Sequence, residues 1–179
     1  MAELDIKKAE ELEKKYDSGL QTRVIGPYLV KFTYYFSILF AAYHYVTAGI
    51  GVPIDYWHMG SHMAGVMVLV FIGFPAFRGK QAGQLRPNSW WIYGNVPIWD
   101  WLLIVAGVAA AYYVGITWYE IDFKFLGGTF QLSDQVMRQG NPATIDVVFG
   151  TILIVVLLEA VRRTLGIIVP IIIGMFIVY

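Results

Sequence analysis

The run Leu158-Glu159-Ala160-Val161-Arg162-Arg163 holds the residue types best spaced to interact. On a helix Glu159 meets Arg162 at i+3 and Arg163 at i+4, so two guanidinium groups share one carboxylate. Two structural roles fit. The pair fixes a junction between consecutive helices, or the two arginines stop translocation and anchor to lipid phosphate. Both are preferred to direct contact with a substrate. On this reading Glu159→Ala harms assembly, while correctly folded molecules keep their activity. Asp100, between Trp99 and Trp101, opens another apolar run. An acid in a first helical turn complements the positive end of the helix dipole, and this capping role is preferred to a pair with Arg162 or Arg163. Asp146 has the same reading one run later, with Asn141 as the expected N-cap.

His44, His58 and His62 are the only histidines. His58 and His62 stand at i,i+4 on one face, and His44 comes from the preceding run. Facing histidines at equal depth can hold a haem iron, and an i,i+4 pair can contribute to a zinc site. No Cys or acidic residue accompanies them in their run, so polar contact between the first two helices is the preferred reading. No metal and no cofactor is expected. The chain has no cysteine, which excludes disulfides, thiolate nucleophiles and cysteine-held clusters. It also lacks a nucleotide loop, a Ser-His-Asp arrangement and a carboxylate pair in an obvious cavity. Neither catalysis nor nucleic-acid binding is expected.

Long apolar helices must position these groups. Charged residues make up 15% of the chain and hydrophobic residues 58%, with a mean hydropathy of +0.58. A water-soluble domain carries about 25% charged residues, so lipid is the expected solvent. Apolar runs lie at 28–47, 57–77, 98–118, 142–163 and 165–179. A helix of about 20 residues spans ~30 Å, the thickness of the hydrocarbon layer. Pro27 suits a first helical turn. The first run is too long for a signal peptide and shows no cleavage site, so it is read as a retained anchor. Ahead of it, in 1–20, Glu10 and Glu11 precede Lys14 and Lys15 at i,i+4, which favours a cytoplasmic amphipathic helix; a frayed tail is the alternative. Pro170 is expected to kink the fifth run. Small residues, among them Gly65, Gly73, Gly107, Gly150 and Gly174, are expected to admit close helix approach.

All but Lys124 and Arg138 of the 13 Lys and Arg lie on one alternating set of segments. These are the N-terminal segment through Lys31, the connection carrying Arg78, Lys80 and Arg86, and the connection carrying Arg162 and Arg163. The positive-inside rule places this set, and the N-terminus, in the cytoplasm. Trp57 and Trp118 then mark the outer interface, and Trp90, Trp91, Trp99 and Trp101 the inner one. The runs are too long and too uniform for a β-barrel. The polar stretch 120–141, with a turn at Gly127-Gly128, is the longest outer surface for a partner. The expected fold is therefore an all-α integral membrane protein: a four-helix unit over 21–163 and the start of a fifth transmembrane helix over 164–179. Because that run is still apolar at Tyr179, the chain is expected to be the front part of a longer protein.

Several short motifs follow one another in order. They are Arg23 to Gly26; His62-Met63 with Phe74-Pro75; Val96-Pro97-Ile98-Trp99-Asp100-Trp101-Leu102-Leu103; Arg138-Gln139-Gly140-Asn141-Pro142 with Asp146; and Leu158 to Gly166 running into Val169-Pro170 and Phe176-Ile177-Val178-Tyr179. The set, spanning residues 20–179, resembles the N-terminal region of fused permeases of tripartite ATP-independent periplasmic (TRAP) transporters, of the TAXI type. One departure is the absence of a basic residue from 58–62. The resemblance implies a small-subunit-like scaffold domain, followed in the same polypeptide by a large permease domain absent from this chain. It implies ion-gradient-driven uptake of organic acids, delivered by a periplasmic TAXI-type substrate-binding protein. It also implies a multi-pass place in a bacterial or archaeal inner membrane. It assigns no substrate ligand. The alternatives are a membrane-anchored b-type cytochrome subunit using His44 with His58 or His62, and a small integral protein that only scaffolds others.

Overall fold

The computed structural model describes residues 22–52, 55–77, 91–115, 121–125, 128–132 and 140–179. Five helices form among them: α1 (Pro27–Ile50), α2 (Asp55–Gly73), α3 (Ile98–Gly115), α4 (Thr144–Leu165) and α5 (Ile168–Val178). The expected helix at 1–20, the connection carrying Arg78, Lys80 and Arg86, Trp90, Trp118 and Arg138 lie outside the described residues.

The helical class holds, with one correction: two antiparallel hairpins are added. Strands β1 (Ile92–Tyr93) and β2 (Val96–Pro97) form one, and β3 (Ile121–Phe125) and β4 (Gly128–Leu132) the other. In the second, Phe125 pairs with Gly128, the second of the two glycines where a turn is expected; Gly127 lies outside the described residues. The alternating Ile121, Phe123 and Phe125 suit a pleated strand better than a polar loop.

By length and composition, α4 is the one helix among the described residues long and apolar enough to cross a hydrocarbon layer. Ile98–Tyr113 and Ile168–Val178 are apolar but shorter. Helix α1 has 24 residues, about 36 Å, but Lys31 and its tyrosines lower its hydropathy. Helix α2 carries Asp55, His58 and His62.

Three helix ends differ from expectation. Helix α2 stops at Gly73 rather than near residue 77, because Pro75 has no N–H and disfavours a helical residue before it. The N-cap of α4 is Ala143, not Asn141; the Asp146 carboxylate accepts the Ala143 N–H at 2.7 Å. Finally, Gly166, at φ +89°, separates α4 from α5, and its N–H reaches the Arg162 carbonyl at 3.2 Å. Pro170 therefore falls in the first turn of α5, where no N–H needs a partner, so the reason for a kink is gone.

Helices α1 to α4 alternate in direction. Met67, Phe71 and Ile72 of α2 meet Ile104 of α3 and Val156 and Ala160 of α4, while Leu29 and Val96 close one end of this core. In lipid such a core is held by close van der Waals packing rather than by escape from water. At Gly107 a Cβ would stand 2.4 Å from Met67 Sδ and 3.0 Å from Val156 Cγ1. At Gly65 it would meet the Phe40 ring at 2.4 Å. Gly73, Gly150 and Gly174 face open space, so close approach explains two of these glycines and not three. Helix α1 lies at the edge, with Leu39 69% and Tyr45 84% exposed; on α5, Phe176 is 79% exposed.

Candidate functional site: a buried charge cluster and a histidine cleft

The chain approaching α1 is strapped down before the helix starts. The β1–β2 turn is Gly94-Asn95, both at positive φ (58° and 70°), as a two-residue type I′ turn requires. Gly94 accepts the Gly26 N–H at 2.9 Å, and Asn95 Nδ2 donates to the Val24 carbonyl at 2.5 Å. The Arg23 N–H donates to the Gly73 carbonyl at 2.7 Å. These bonds hold Arg23 against the end of α2.

There Arg23 meets residues from three other helices. Its guanidinium pairs with Asp100 at the start of α3. The other Asp100 oxygen accepts Arg163 Nη2 at 2.8 Å, from the end of α4. Arg163 Nε reaches Glu159 at 2.8 Å, and Arg162 binds both Glu159 oxygens at 2.7 and 2.8 Å. The arginines also collect carbonyls left over where α2 stops: Arg163 Nη1 donates to Phe74 at 3.2 Å, and Arg162 Nη2 to Ala76 at 2.9 Å. Cationic side chains at a helix C-terminus satisfy its free acceptors and its dipole together. The Arg163 guanidinium also lies 4.8 Å from the Phe71 ring centroid, a cation–π distance.

The structure thus brings Glu159, Arg162, Arg163 and Asp100 together. It corrects the reading of Asp100 as a helix cap alone. Asp100 is in the first turn, but its side chain is 2% exposed and joins two arginines. A buried carboxylate needs such partners, because an unpaired charge in a low dielectric is costly. The member missed from sequence is Arg23. Its signal was a basic residue just before Pro27, at the topological level of Asp100. Burial pushes the Arg23 guanidinium below its ordinary pKa; the Asp100 carboxylate opposes this, and Arg163 adds a smaller repulsion. An arginine stays protonated regardless. Three guanidinium groups face two carboxylates, so the cluster carries one net positive charge. Each carboxylate is held by two guanidinium groups, and the chemistry of the cluster is that of a clamp.

The histidines lie at the opposite end of the bundle. His62 Nδ1 is 3.1 Å from His44 Nε2, and His58 Nδ1 is 3.1 Å from the Tyr43 hydroxyl. His44 meets His58 and His62 edge-on, with ring centroids 5.2 and 4.9 Å apart. The rings border a cleft of about 610 Å³ that is also lined by Met59 and Met63. At the same end Tyr113 of α3 donates to Asp146 of α4 and stacks on Phe149 at 4.4 Å. Haem does not fit His44 with His62. Axial nitrogens on one iron stand trans, ~4 Å apart, with the macrocycle between them, whereas these two are in direct contact. His58 with His44 leaves no slot either, because their rings touch edge to face. Among the described residues no group of three or more His, Cys, Asp or Glu side chains is arranged around a common metal position.

Compared with family models, curated proteins and solved structures, the chain matches none.

Proposed function

We propose that this chain is a membrane-embedded scaffold unit of a secondary transporter, of the TAXI-type TRAP kind, that works with a large permease domain and a periplasmic binding protein to take up organic acids. The observation that carries this reading is the buried charge cluster. It ties the approach to α1, the end of α2, the start of α3 and the end of α4 at one level. Removing one member of such a cluster costs several kcal/mol, so these four helices hold their relative places while a neighbouring domain moves. The middles of α2, α3 and α4 carry no charged residue, whereas substrate and ion sites of secondary transporters lie at the midplane, in broken helices. Lipid would cover the apolar faces that α1 and α5 turn outward.

The chain lacks cysteine, so single-cysteine labelling needs no prior substitution. In intact cells Lys80→Cys should resist an impermeant maleimide until the membrane is opened, and Lys124→Cys should react at once. Labelling of Lys80→Cys from outside refutes the orientation. Deleting the coding region from its host should abolish binding-protein-dependent uptake of organic acids; undiminished uptake refutes the transport assignment.

A further inference from the structure

The charge cluster and the apolar faces are used by the scaffold reading, but the histidine cleft is not. Two imidazole nitrogens from different helices, His44 Nε2 of α1 and His62 Nδ1 of α2, stand 3.1 Å apart. Two nitrogens each ~2.0 Å from one metal ion, at trigonal or tetrahedral angles, stand ~3.3–3.5 Å apart. The nitrogen separations of a hydrogen bond and of a chelate therefore differ here by a few tenths of an ångström. On binding, the rings turn so that both lone pairs meet the metal, and the shared proton moves to the other nitrogen of its own ring, so that both imidazoles stay neutral. His58 belongs to the surroundings, since its Nδ1 faces Tyr43. The other side chains on the cleft with donor atoms are Tyr56 and the thioethers of Met59 and Met63.

The donor set selects the ion. The cleft offers imidazole nitrogens and thioether sulfurs. Imidazole and thioether together are the ligands of soft copper, not of calcium, magnesium or manganese. We propose that His44 and His62 form a binding site for a cuprous ion, Cu(I), completed by a methionine of the same cleft. The metal would join the edge helix α1 to α2 at the end opposite the charge cluster. The paired nitrogens do not depend on the membrane reading.

The test uses the full chain in lipid nanodiscs, with Cu(I) delivered anaerobically from a coloured competing chelator. One equivalent should transfer to the protein. His44→Ala and His62→Ala should each weaken binding by at least ~100-fold, beyond the loss typical of an outer-shell partner, and His58→Phe should weaken it less. Zn(II) should bind more weakly than Cu(I). X-ray absorption of the wild-type complex should show two nitrogen neighbours and a sulfur neighbour, a readout independent of whether the variants fold. Absence of transfer, affinity unchanged in His44→Ala, tighter binding of Zn(II), or a copper shell without two imidazoles would each overturn the assignment. None of these outcomes depends on uptake of organic acids, so this site and the transport reading fail separately.

Discussion

Replacing Asp100 by Asn tests whether the charge cluster is the clamp of the bundle. Asp100 accepts from Arg23 on one oxygen and from Arg163 on the other, and those side chains are 5% and 2% exposed. Asparagine keeps the volume and removes the charge, leaving two buried guanidinium groups side by side with no anion between them. Loss of one member of a buried pair costs ~3–5 kcal/mol, against a total of roughly 5–15 kcal/mol for a folded domain. Glu159 is 24% exposed and its partner Arg162 31%. Solvent replaces part of what it provides, so Glu159→Gln should cost less, ~1–2 kcal/mol. The sequence pattern made Glu159 the critical acid; burial moves that role to Asp100. The decisive measurement is a cycle. In Arg23→Met with Asp100→Asn, one buried cation leaves with the anion, and Arg163 still holds Glu159. The double variant should therefore recover ~0.5–3 kcal/mol relative to the sum of the single ones. Unfolding in detergent followed by tryptophan fluorescence reads this, with Trp101 adjacent in sequence to Asp100. Strict additivity, or Asp100→Asn costing no more than Glu159→Gln, would refute the clamp.

Gly107→Ala should destabilise by ~1–3 kcal/mol through overpacking against Met67 and Val156. Gly150→Ala, which meets nothing within 4 Å, should stabilise α4 by up to ~1 kcal/mol; paired thermal melts compare the two. At the hairpin, Asn95→Gly keeps the positive φ and loses the bond to Val24, whereas Asn95→Ala loses both. The alanine variant should melt lower by a further ~1 kcal/mol equivalent. Tyr113→Phe removes a donor to Asp146, which is 8% exposed. It should cost ~1.5–3 kcal/mol in denaturant unfolding, as expected for a hydrogen bond to a charged group.

What local spacing dictates was legible in the sequence. The Glu159–Arg162 and Glu159–Arg163 contacts follow from i+3 and i+4 geometry on any helix. Pro27 and Asp100 mark the starts of α1 and α3 because a first turn has spare N–H groups and a positive dipole end. The packing decided the rest. The contact between Arg23 and Asp100 joins residues 77 apart, and no periodicity encodes it. Their pairing follows from four helices ending at one level, where buried charges find partners or destabilise the fold. Gly65 and Gly107 became packing sites, and Gly150 did not, only because a neighbouring side chain reaches the first two. Nor did the spacing of His44 and His62 place their nitrogens 3.1 Å apart; the crossing of α1 over α2 did, because the rotation of each helix about its own axis is set by what it packs against.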